Sequence, residues 1–423
     1  MSKMPPAAPP LSVGVTLDLH RGPEAGGHVK CWERFAEAAL DIPEALDLTV
    51  YVLGKQEAVD ALGPNVRFHA VPPVFGTERI PFLKQGAGET DLAGHHARLA
   101  ELLPRHQLLH HTHAFALSRT AVRVARKRGL PLTASLHTDL ERFTRHYAGE
   151  ILGRNLVGRI LLDRFHLDEV FARREARQVA RLLAPCRRIL ISRKEDIARF
   201  APTVEAWRIG YLRRGIDFAR FDPAFHDRTW LQERFGIAPE TSVLLFVGRL
   251  DESKRVLTLA RAAKRLREGG RDLAVLVVGE GGARAGVRAL LGDAAVMPGQ
   301  LQGEELSRAY ASSDLFVFPS DSEVFGNVVI EARASGLPVL VTNHEGIGAR
   351  TIGQDGVGLV VPGQDPGDWA RAIESVLDDP EGRASMSRRA RETVVRDWPS
   401  WRQVLEEDLV PVWRAAAAEA VLG

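Results

Sequence analysis

The chain has 423 residues, 45% of them hydrophobic and 26% charged, and a formal net charge of +2. That length exceeds one ordinary core and predicts two domains, and the near balance of charge excludes a dedicated nucleic-acid binder. Two cysteines, Cys31 and Cys186, exclude a disulfide scaffold or a cysteine-rich zinc site and suit a reducing cytoplasm, no apolar run approaches the ~20 residues of a membrane span, and MSKMPPAAPP has no apolar core of signal-peptide length.

In chain order, strands are expected at Leu11–Leu17, Leu48–Leu53, Gln107–His111, Leu132–His137, Arg188–Ser192 and Trp207–Leu212. Their hydrophobicity is continuous rather than alternating, which points to parallel sheet buried on both faces. Between the first two strands, HRGPEAGGHVKCWERFAEAAL places Gly26 and Gly27 ahead of an amphipathic helix. Paired glycines let a backbone approach a phosphate or a sugar, although a tight strand–helix turn needs glycine for its own reasons. HHTHAF (His110–Phe115) offers three histidines, but two alternate along a strand and no acid or cysteine stands at ligand spacing, so no metal site is expected. His137 in SLHTDLERF stands at the carboxyl end of a strand, where ligands bind in open α/β sheets. The arginine-rich stretch from Arg154 to Arg193 reads first as a solvated helix face and second as a weak attraction to anionic lipid.

Periodicity stops at RRGIDFARFDPAFHD (Arg213–Asp227), and a second series of strands follows: SVLLFV, LAVLVV, AAVM, DLFVF, PVLVT and VGLVV. In FVGRLDESKRVLTLARAAKRL, Arg249 and Lys254 bracket a loop between a strand end and a helix. A guanidinium fork and a point charge beside a helix start suit a diphosphate. VVGEGG (Val277–Gly282) is glycine-rich but lacks the full dinucleotide fingerprint, which disfavours NAD. SDSEVFGNVVIEARASGLPVLVTN reads as loop, helix and strand, with Gly336 placed for a left-handed helix end and Pro338 behind it. Glu323 falls in the loop and Glu331 on the helix. The tail from Trp398 reads as helix.

These motifs together resemble glycosyltransferase family 4, the retaining nucleotide-sugar enzymes of the GT-B fold. The E-x7-E signature is met by Glu323 and Glu331 within SEVFGNVVIEARASGLPV; GRLDESKR is similar to the family's cationic clamp, with Arg255 where glycine often stands. RRGIDFARF resembles the interdomain segment, with Arg214 in place of the usual asparagine, SLHTDLERF resembles the SYHTDF stretch of lipid-directed members, and NHEGIG departs from the usual GG-P. The resemblance implies two doubly wound Rossmann-like α/β domains facing across a cleft: an acceptor-side domain at 1–214, a nucleotide-sugar domain at 215–395, and a terminal helix at 396–423 packing back on the first.

The implied roles follow residue by residue. Arg249 and Lys254 neutralise the departing diphosphate, aided by the Gly326–Asn327 helix start and the adjoining Phe325. Glu331 accepts from ribose hydroxyls, Glu323 holds the donor sugar, Gly27 approaches the phosphate, and His137 contacts the sugar near the reacting bond. Leu301, within Gln300–Gly303, lies where backbone groups meet the base. The implied donor is a UDP- or GDP-sugar, the acceptor a lipid or glycan hydroxyl, with no cofactor and no metal. The expected location is cytoplasmic, peripheral on the inner membrane face. A GT-B nucleotide-sugar epimerase shares the fold and the clamp, and a non-catalytic nucleotide-sugar sensor shares the scaffold; product analysis separates the first, and turnover the second.

Overall fold

The computed structural model describes residues 9–22, 25, 27–77, 90–137, 177–192, 197, 204–321, 326–343 and 349–421. The chain divides into two compact units, residues 1–214 with 401–423, and residues 215–400.

The first unit is built on eight strands: β1 (Leu11–His20), β2 (Leu46–Leu53), β3 (Ala58–Gly63), β4 (Val66–Val71), β5 (Leu108–His111), β6 (Leu132–Leu136), β7 (Arg188–Ile191) and β8 (Ile209–Tyr211). They lie in the order β3-β4-β2-β1-β5-β6-β7-β8, parallel throughout except for β3 against β4. Successive side chains leave a strand on opposite faces, and here both faces are packed. Leu108 and Leu190 join the core that holds Trp32 and Phe35, while Leu109, Ile189 and Ile191 join the core that holds Leu117 and Leu183. β1 alternates in composition. Val13, Val15 and Leu17 are apolar, but alternating Ser12, Thr16 and Asp18 are polar. Asp18 is fully buried and accepts from the N–H groups of Leu117 and Ser118 (2.6 and 3.1 Å) and from the Ser118 hydroxyl (2.6 Å). It thereby caps the helix Ala116–Arg128, whose own Phe115 supplies no cap. Burial pushes its carboxyl up to about 6 against those hydrogen bonds.

The second unit carries β9 (Ser242–Val247), β10 (Leu273–Val278), β11 (Ala295–Gly299), β12 (Leu315–Phe318), β13 (Val339–Thr342) and β14 (Gly358–Val361). All neighbours are parallel, in the order β11-β10-β9-β12-β13-β14. β10, β12 and β13 are buried along their whole length, as their unbroken apolar runs require. Helix Asn327–Ala334 stops as its sequence indicates: Gly336 takes φ 70°, and the Leu337 N–H returns to the Ala332 carbonyl at 2.9 Å.

Residues 380–397 form a helix of the second unit, with Ala390 and Val394 in its core. The Ile216 N–H bonds the Pro399 carbonyl at 3.0 Å, so the return to the first unit falls at 401 rather than 396. Beyond it, Trp401–Val404, a π-helical turn at Leu405–Leu409 and the helix Val410–Val421 place Leu405, Leu409 and Trp413, all fully buried, in the first unit's core.

Most of the arginine-rich stretch lies outside the described residues. At its end, Arg187 and Arg188 are paired with Glu419. No helix among the described residues is long and apolar enough to cross a membrane.

Candidate active site

In each sheet the strand order reverses beside its first strand, between β1 and β5 and between β9 and β12. The crevice at the carboxyl ends of such strands is where doubly wound folds hold ligands.

In the second unit the loops after β9 and β10 are laced backbone to backbone. Gly248 N–H bonds Val278 O at 3.0 Å, Leu250 N–H bonds Glu280 O at 2.8 Å, and Ala283 N–H bonds Leu250 O at 2.8 Å. This contact explains two of the glycines. A Cβ at Gly279 (φ 140°) would lie 1.9 Å from Gly248 O, and one at Gly281 would lie 2.5 Å from Leu250 O. The β9 loop then turns at Glu252–Lys254, capped by Asp251, which accepts from Lys254 N–H at 3.2 Å and Ser253 Oγ at 2.6 Å. Arg255 follows in the left-handed region (φ 53°), the one non-glycine there among the described residues. That conformation accounts for the glycine often found at this position in the resembled family. It is strained for arginine, and the Arg255 Nε bond to Asp321 Oδ2 at 2.8 Å offsets the strain by tying the β9 loop to the β12 loop. Arg249 stands at the strand end, 68% exposed, its Nη2 3.2 Å from Asp251. Lys254 is half-buried.

The β12 loop leads to Gly326, which opens the helix Asn327–Ala334 with no side-chain cap among the described residues and no acidic residue in its first turn. Its first N–H groups and positive dipole end therefore suit an anion. One turn on, half-buried Glu331 accepts from the Tyr310 hydroxyl at 2.9 Å. Tyr310 is fully buried against Phe221 and Phe316. Burial, and then the Glu331 charge, hold its phenol well above the ordinary value, so it stays a donor and orients the carboxylate. Leu301 is buried in the core, which leaves only its backbone for a ligand. Glu323 and Phe325 lie outside the described residues.

In the first unit, Gly27 opens the helix Gly27–Ala39, and a Cβ built there meets none of the described residues within 4 Å. Packing therefore gives no reason for glycine at this position. His28 follows, with Nδ1 2.8 Å from His113 Nε2 and its ring stacked on His137 at 4.4 Å between centroids. His137 is the first residue beyond β6 and is buried, not on the strand as its sequence suggested. Its Nε2 lies 2.6 Å from Ser135 Oγ. Burial, and then the charge of buried Arg214, hold its imidazole well below 6.5, so it is neutral at pH 7. His110 and His111 bond Thr133, Ser135 and Cys186. No group of three His, Cys, Asp or Glu among the described residues could hold a metal.

Residues 227–393 match the family model of glycosyl transferases group 1. That match lies within the second unit. The chain is 38% identical over 193 residues to a D-inositol 3-phosphate glycosyltransferase of Pseudarthrobacter chlorophenolicus, covering 43% of this chain and 45% of that protein. It therefore spans less than half the length of that relative. A protein of the same name from Paenarthrobacter aurescens is 27% identical over 384 residues, covering 84% and 87%. Among solved structures, a glycosyltransferase from Rickettsia africae superposes with a TM-score of 0.65 at 15% identity, covering 96% of this chain and 98% of that one. HepE of Anabaena, solved in complex with UDP-glucose, gives 0.63 at 14% identity, covering 98% and 100%. The fold is GT-B.

No sequence motif marks Tyr310 or the Arg255–Asp321 tie. The arginine at a position usually held by glycine was the one available signal for the latter. The glycines make a paired test. Gly279→Ala should cost about 2–4 kcal/mol, because the clash is with backbone that cannot step aside. Gly27→Ala should stay within about 0.5 kcal/mol. Denaturant unfolding of both variants checks this, and equal midpoints would refute it.

Proposed function

We propose that this chain transfers a hexosyl group, with retention of anomeric configuration, from a nucleotide diphosphate sugar to a hydroxyl acceptor on a lipid or glycan, without metal or other cofactor. The observation that carries this is the arrangement at the β9/β12 switch point. Two cations on one loop, an uncapped helix start and an oriented carboxylate share the carboxyl edge of one sheet. Arg249 and Lys254 stabilise the charge that develops on the leaving diphosphate, which is commonly the largest catalytic term. Glu331, held by Tyr310, accepts from the ribose hydroxyls. Glu323 and His137 hold the transferred sugar, and Gly27 admits the phosphate. The naming of relatives as D-inositol 3-phosphate glycosyltransferases and the UDP-glucose complex of HepE support a sugar nucleotide as donor. We place the enzyme in the cytoplasm, with weak attraction of residues 154–193 to anionic lipid.

The test is a panel of UDP- and GDP-sugars measured for protection against thermal unfolding, with and without EDTA. At about 100 times its Kd, a true donor adds roughly 2.7 kcal/mol. Protection that survives EDTA is expected. No protection by any member of the panel would overturn the reading, and protection lost to EDTA and restored by manganese would overturn its metal-free part.

A further inference from the structure

A chain of buried hydrogen bonds runs from the C-terminal helix to His137, all within the first unit. Trp413 Nε1 donates to His110 Nδ1 at 3.2 Å. His110 Nε2 is 2.8 Å from Ser135 Oγ, and Ser135 Oγ is 2.6 Å from His137 Nε2. Trp413, His110 and Ser135 are fully buried, and His137 is 6% exposed.

An indole nitrogen can only donate, and this fixes the direction of every later bond. His110 Nδ1 must be the bare nitrogen; Thr133 Oγ1, 2.8 Å away, can donate to it as well. Burial keeps His110 neutral, so its proton is on Nε2 and goes to Ser135 Oγ. Ser135 has one hydroxyl proton, and among the described residues its other partner is His137 Nε2. Were His137 to donate there instead, the serine proton would be buried without an acceptor, at the cost of an unmade hydrogen bond. His137 Nε2 is therefore the acceptor, and its proton is on Nδ1. That atom is buried and has no partner among the described residues. Stacking on His28 fixes the ring plane.

We propose that Trp413, His110 and Ser135 are positioning residues that set His137 in its Nδ1–H form, so that it offers substrate a hydrogen-bond donor and cannot serve as a base at that atom. The ligand class is an oxygen acceptor, either a sugar hydroxyl or a phosphate oxygen. The substrate end rests on the reading above that His137 faces the donor; the tautomer does not.

The test is histidine ¹⁵N NMR on the full chain at pH 7.5, with His137→Asn to assign the signal. His137 is expected to show a protonated Nδ1 and a bare Nε2; the reverse would overturn the proposal. Ser135→Ala should convert this to a mixture of tautomers, and Trp413→Phe, which keeps an aromatic body in the core, should do so through His110. Unchanged tautomer signals in Ser135→Ala would also overturn it. For the substrate end, the probe is whichever of UDP-glucose and GDP-mannose protects the wild-type chain. His137→Asn, whose amide overlies Nδ1, should bind it at least about tenfold better than His137→Gln, whose amide overlies Nε2, tenfold being about 1.4 kcal/mol. Equal affinities would remove the donor from Nδ1 while leaving the relay to the NMR result. Protection by neither sugar would instead be a failure of the function proposed for the site.

Discussion

Lys254→Ala and Arg249→Ala should each lower kcat by on the order of 10²–10³ while leaving the melting midpoint nearly unchanged. Arg249 is 68% exposed and its ion pair is to Asp251 within the same loop, so the core does not depend on it. Lys254 is fixed from its backbone, where the Asp251 cap holds the turn whatever side chain follows. The double variant should lose less than the product of the two effects, because both cations act on one leaving group. Lys254→Arg should not restore the full rate, since a planar fork is a poor substitute for a compact ammonium at a fitted position. The measurement is turnover with the donor found by the stability panel, beside a melting curve for each variant. Near-wild-type kcat in both single variants would break the assignment of this loop to the diphosphate.

Glu331→Ala should weaken donor binding about 10- to 150-fold, the equivalent of losing charge-assisted hydrogen bonds worth roughly 1.5–3 kcal/mol. The variant also leaves the buried Tyr310 hydroxyl without its acceptor, so part of any fall in stability belongs to Tyr310. Glu331→Gln separates the two effects. Its amide oxygen can still accept from Tyr310, yet the charge that strengthens bonds from ribose hydroxyls is gone. Tyr310→Phe should cost less affinity than either, because it removes one hydrogen bond to the carboxylate and leaves the carboxylate in place. Titration with the nucleotide sugar by calorimetry reads all three, and an unchanged Kd in Glu331→Ala would remove Glu331 from the site.

What could be read in the sequence was whatever has a short period or a local rule. Twelve strands announced themselves as apolar runs, most clearly where burial on both faces leaves no polar alternation, as in Leu273–Val278. Gly336 was legible because a helix end imposes a local backbone requirement. The hairpin β3–β4 was missed: β3 is an exposed edge whose AVDALG carries no buried run, and β4 alternates. At the site, the switch-point loops were legible because glycine and charge at strand ends are local signals. The partners that orient the side chains were not. Tyr310 meets Glu331 across 21 residues, Arg255 meets Asp321 across 66, and Trp413 meets His110 across 303. Contacts at those separations leave no pattern in any window along the chain.

The division of the first unit into two distant segments has a consequence for its birth on the ribosome. Val404, Leu405, Leu409, Val410, Trp413 and Ala416 belong to the same core as Trp32 and Phe35, yet all of residues 215–400 must be translated between them. At the usual 5–20 residues per second, that interval lasts about 10–40 s. Throughout it the nascent sheet lacks the apolar cover that the tail will provide, which is the condition under which chaperones engage a chain. The second unit, being continuous, can finish first. His110 receives the Trp413 proton donor only when the tail docks, so an imidazole in the first third of the polypeptide gains this hydrogen bond after almost everything else has been made.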